Sequence, residues 1–63
     1  MALLSKEEAK LQKKGVPNMS LDELKEWVNI CTRNEEAVSH NKARRSWKDG
    51  RREAQERIEK LST

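Results

Sequence analysis

The sequence predicts a small all-α domain of three helices, with a long C-terminal helix, and three observations carry that prediction. Serine–glutamate capping pairs stand at Ser5/Glu8 and Ser20/Glu23, each at the head of an amphipathic stretch. Apolar residues recur at helical spacing in Leu21, Leu24, Val28 and Cys31, and again in a narrower seam from Ala43 to Leu61. Gly15-Val16-Pro17 separates the first two periodic stretches with a combination that ends one helix and leads into the next.

The first helix is expected over about residues 6–14. Ser5 accepts a hydrogen bond from the third helical N–H while Glu8 reaches back, and Gly15 supplies the left-handed residue that closes a helix C-terminus. Pro17 prevents continuation and is expected to hold Val16 extended. The second helix, about 20–32, opens on Ser20 and Glu23, with Met19 and Leu24 at the positions of a hydrophobic staple. Its apolar face comprises Leu21, Leu24, Val28 and Cys31 with Trp27 beside them, and the rest of the chain is expected to pack there.

After Cys31 two courses are open. Thr32-Arg33-Asn34-Glu35 offers a third capping box, whereas Glu35, Ala37 and Val38 would equally prolong the helix. The break near Thr32–Asn34 is preferred, giving a third helix over about residues 35–62, with an interruption near Ser39 or Gly50 left open. On that helix Ala43, Trp47, Gly50, Ala54, Ile58 and Leu61 fall within an arc of about 80°, closer to a coiled-coil edge than to a core-facing side. Gly50 would weaken a helix by about 1 kcal/mol relative to alanine, so it either admits a close neighbour or marks a turn with Asp49.

A chain of 63 residues forms one domain, 1–63, with a small core, and its single cysteine closes no internal disulfide. Chains of this size commonly lean on a partner, so a second copy of the chain or a larger protein is an expected companion. Cys31 reads as a small buried apolar group in a reducing compartment. Charged residues follow at once on Met1-Ala2-Leu3-Leu4, so neither a signal peptide nor a membrane span is expected, and the setting is cytoplasmic, or nuclear in a host with a nucleus.

The charge of +3 is unevenly placed. Residues 1–32 carry equal numbers of acidic and basic side chains, while residues 33–63 hold nine basic against six acidic ones and every arginine. On the last helix Arg44, Arg45, Lys48, Arg51 and Arg52 share one flank over about 12 Å, opposite Asp49, Glu53 and Glu56. Arg44, Lys48 and Arg52 follow one another four residues apart and repel one another, a tension that successive phosphates would relieve.

Those five cations, with Lys42, are the candidate nucleic-acid contacts, and the alternative is a solvated helix face. A helix-turn-helix count from Leu24 through Val28, Thr32 and Val38 agrees in part and would make Asn41 an adenine reader. Asn41 to Arg52 also has the makeup of a sparse arginine-rich RNA-binding helix with Trp47 as its stacking ring, so DNA is preferred over RNA. The competing expectation is a protein-interaction module that docks or dimerises through Trp47, Ala54, Ile58 and Leu61. His40 has no second ligand at metal spacing and no glycine-rich phosphate loop occurs, so no metal, no cofactor and no enzymatic activity are expected.

Overall fold

Both expected capping boxes form. In the computed structural model, which describes residues 4–62, Ser5 Oγ accepts from the Glu8 N–H at 3.2 Å and the Glu8 carboxylate accepts from the Ser5 N–H at 3.0 Å. This opens α1, Lys6–Lys14, which ends on Gly15 at φ 88°. Met1-Ala2-Leu3, part of the expected apolar start, lies outside the described residues.

Val16–Asn18 form a 3-10 turn, so Val16 is not the extended residue that the following proline implies. Pro17 sits in the first positions of that turn, where its missing N–H has no partner to lose, and the Asn18 and Met19 amides close it onto Gly15 and Val16. The Asn18 side chain also donates to the last α1 carbonyl, Lys14, at 2.9 Å.

Ser20 and Glu23 then cap α2, which runs Leu21–Ala37 without a break at Thr32. The third capping box does not form, and two side chains show why. Thr32 Oγ1 donates to the Val28 carbonyl and Asn34 Nδ2 donates to the Ile30 carbonyl, both at 2.8 Å, so each bonds back one turn within the helix instead of opening a new one. Asn34 is 1% exposed and belongs to the buried face of α2. The reversal falls later, at Val38-Ser39-His40, and α3 runs Asn41–Ser62, starting at 41 rather than 35 and continuous through Gly50.

Two of these three helices make most of the core: α3 packs along α2, α1 lies against α2, and the 3-10 turn touches α3. Leu24, Trp27, Ile30 and Cys31 of α2 are buried with Leu11, Met19 and Ala54, while Leu4, Val16, Val28, Trp47 and Ile58 flank them. The Trp27 and Trp47 rings meet at 5.9 Å between centroids, tilted by 55°, a favourable aromatic arrangement. None of the described helices is long and apolar enough to cross a membrane.

Candidate nucleic-acid interface

The first turns of α3 carry the cations, and packing decides which of them remain available. Ala43, Trp47, Gly50 and Ala54 turn toward the rest of the protein, and the flank that holds Arg44, Arg45, Lys48 and Arg52 is exposed; Lys42 is exposed as well, but on the opposite flank, in line with Asp49 and Glu53. Arg51 lies at the border of the two faces. Its Nη1 stands 2.9 Å from Glu35 Oε1, both side chains more than two-thirds covered, so Arg51 ties α3 to α2 and leaves the candidate set. That Glu35 oxygen forms no well-directed hydrogen bond, so the pair is a charge contact rather than a fork.

Arg52 approaches Glu56 one turn on at 3.8 Å, with both side chains mostly in solvent, a contact too loose and too wet to hold the guanidinium. Lys42, Arg44, Arg45 and Lys48 make no ion pair with any described residue. Elsewhere two cations are paired closely: Arg33 reaches both carboxylate oxygens of Glu8 at 2.8 and 2.7 Å, and Lys14 reaches both of Glu23 at 2.8 and 2.9 Å, whereas Lys6, Lys10, Lys13 and Lys25 make no ion pair with any described residue.

Helix termini sharpen the contrast. The first turns of α1 and α2 contain Glu7 and Glu8, and Asp22 and Glu23, which compensate the positive end of the helix dipole. The first turn of α3 contains no acidic residue, so dipole and side chains there add with the same sign.

The residues expected at a partner interface fare differently. Ala54 is fully buried on the core-facing side of α3, and so is no contact for a partner. Trp47 packs on Trp27 and Ile58 flanks the core, which leaves Leu61, 48% exposed, as the outward apolar residue of that seam.

The expected helix-turn-helix also changes form. Thr32 lies inside α2, so no turn follows Val28, and Asn41 is the first residue of α3 rather than a reader within a second helix of such a unit. The Glu35–Arg51 pair escaped sequence reasoning because a helix start at 35 places Glu35 on the same helix as Arg51; only a continuous α2 sets the two on facing helices.

Among the described residues no three His, Cys, Asp or Glu side chains gather as a metal ion would need. Burial pushes the Cys31 thiol up to about 11, and the nearby Arg51 and Glu35 charges act on it in opposite directions. No protein-family model, curated protein or solved structure matches the chain.

Proposed function

We propose that this is a small, non-catalytic regulatory or accessory protein of the cytoplasm or nucleus that docks on the phosphate backbone of a nucleic-acid duplex. The contacts are Lys42, Arg44, Arg45 and Lys48, with Arg52 at the edge. One observation supports this above the rest: Arg44, Arg45 and Lys48 stand side by side and unpaired near the positive end of the longest helix, with Lys42 unpaired in its first turn. Ionic groups so arranged repel one another until a polyanion neutralises them.

Duplex DNA is the preferred form. Trp47 packs on Trp27 and is only partly exposed, so less of its ring is left for an unpaired base, which disfavours single strands. An exposed α-helix fits the major groove of B-form DNA, whereas the major groove of A-form RNA is too narrow for side chains to read. The competing role, gripping a larger protein or a second copy of the chain through the Trp47–Leu61 seam, keeps Leu61 as its exposed apolar contact.

The test is fluorescence anisotropy with a labelled 20-base-pair duplex. Four to five phosphate contacts predict a log–log dependence of affinity on salt with a slope of about −4. Reversal of Lys42, Arg44, Arg45 and Lys48 to glutamate should abolish binding, while reversal of the exposed Lys13 on α1 should weaken it only slightly. Wild-type protein that ignores duplex DNA at low salt, or a quadruple variant that binds as well as wild type, overturns the proposal.

A further inference from the structure

The outer side of α3 carries a ridge of polar side chains. At about 100° per residue, Asn41, Arg45, Lys48 and Arg52 fall within an arc of about 60°. That arc lies across the helix from the side that Ala43, Trp47, Gly50 and Ala54 turn inward, and all four residues on it are exposed. Asn41, Arg45 and Lys48 form no side-chain hydrogen bond or ion pair with any described residue.

The borders of this ridge change along its length. In the first two turns Lys42 stands about 80° to one side of the line midway between Asn41 and Arg45, and Arg44 about 80° to the other. No residue from Asn41 to Lys48 is acidic. Beyond Lys48 the border that Lys42 begins continues as Asp49, Glu53 and Glu56, all exposed. A groove of duplex DNA has a phosphate strand on each wall, so only the first two turns present cations to both walls. Farther along, one strand would meet carboxylates.

From this we infer that the first two turns of α3 enter the major groove, where Arg45 reads guanine and Asn41 reads adenine, while Lys42 and Arg44 hold the phosphate strands on either side. The inference rests on the nucleic-acid reading above and moves Arg45 from a phosphate to a base. A helix about 10–12 Å across with its side chains enters a groove about 12 Å wide. Arginine pairs with guanine O6 and N7, and asparagine with adenine N6 and N7, each through two hydrogen bonds. Asn41 and Arg45 are one turn apart, about 6 Å along the helix, so the two bases lie within about two base-pair steps of each other. Lys42, Arg44, Lys48 and Arg52 remain for phosphates, which keeps the salt slope at about −4. The reading position follows from where Asn41 and Arg45 stand on α3 and needs no helix-turn-helix.

The test selects duplexes with a randomised central segment against the full chain, then measures anisotropy for a selected duplex and for versions with each enriched base pair replaced. The selected duplexes should share a guanine and an adenine at that spacing, and replacing either should lower affinity about tenfold. Arg45→Lys keeps the charge but loses the two-pronged contact, so it should abolish the guanine preference while leaving the salt slope unchanged. Asn41→Ala should abolish the adenine preference in the same way, and Arg44→Lys should leave both preferences intact.

Binding with a slope of about −4 but no enriched bases overturns this inference and leaves phosphate docking standing. So does a preference that survives the substitution of its own reader, or one lost equally in Arg44→Lys. Absence of binding to any duplex at low salt overturns both readings.

Discussion

At Gly50 α3 lies against α2, and what approaches is a pair of side chains. A Cβ at this position would stand 3.4 Å from Cys31 Sγ and 3.9 Å from Trp27 Nε1, ordinary van der Waals distances. Alanine therefore fits, and it removes the backbone-entropy penalty of glycine inside a helix. Gly50→Ala should raise the melting temperature by several degrees, corresponding to about 0.5–1 kcal/mol. Gly50→Val should lower it by about 1–3 kcal/mol, because its methyl groups extend past the Cβ into Cys31 and Trp27; paired thermal melts check both. Cys31 itself is 0% exposed, and burial holds its folded pKa near 11 against an ordinary value of 9.0. The unfolded chain therefore releases this proton first as pH rises, so its contribution to stability is intact below pH 9 and is lost between about 9 and 11. Denaturant titrations across that window should show stability falling in wild type and falling less in Cys31→Ala. At pH 8 a thiol reagent should modify native Cys31 only as fast as the core opens.

Among the elements, α1 is held differently from the other two. It buries Leu11 alone among its own residues, and ion pairs near its two ends, Glu8–Arg33 and Lys14–Glu23, fasten it to α2. The Arg33 guanidinium, and then the Ser5 N–H, hold the Glu8 carboxyl below its ordinary 4.5; Lys14 and the Ser20 N–H do the same for Glu23. A depressed folded pKa contributes stability above the ordinary value that is lost as pH falls through the folded one, so acid below about pH 4.5 should release α1 first. Hydrogen exchange should show α1 amides losing protection at pH 3 while the middle of α2 keeps it; simultaneous loss in all three helices would refute this order. Ser20→Ala removes the cap of α2 and should lower global stability by about 1 kcal/mol. The corresponding change at Ser5 should act mainly on α1 exchange, because Glu8 loses the N-cap geometry that aims it at Arg33. Both caps were legible in the sequence since their parts lie three residues apart. The end of α2 was not, because Thr32 and Asn34 suit a cap and a back-bonded helix interior equally well, and the choice depended on whether Asn34 would be buried.

For the molecule as a whole, the core is small and depends on few side chains. Domains are stable by roughly 0.05–0.15 kcal/mol per residue, or about 3–9 kcal/mol at this length. Removing a large buried aromatic costs about 3–5 kcal/mol. Trp27→Ala, which empties the centre between α2 and α3 and strips Trp47 of its partner, should therefore leave the chain largely unfolded at 37 °C by circular dichroism. The longest dimension, 35 Å, is close to the roughly 33 Å span of a 22-residue helix, so α3 serves as the spine of the molecule. Arg44, Arg45, Lys48 and Arg52 lie on a different side of that spine from the cavity lined by Ser46, Trp47 and Glu53, whereas Lys42 stands on the cavity's side.

Local chemistry in the chain was enough to establish three helices, two capped starts, the punctuation at Gly15 and Pro17, and the gathering of arginine in the later half, because each depends on residues within a few positions of one another. Packing settled the rest. Whether Arg51 faces solvent or Glu35, whether Ala54 serves a partner or the core, and whether two tryptophans 20 positions apart enclose a cavity with Glu53 all follow from how α3 is rotated against α2. That rotation seats Gly50 beside Cys31 and Trp27, a contact between residues 19 or more positions apart that no local pattern encodes.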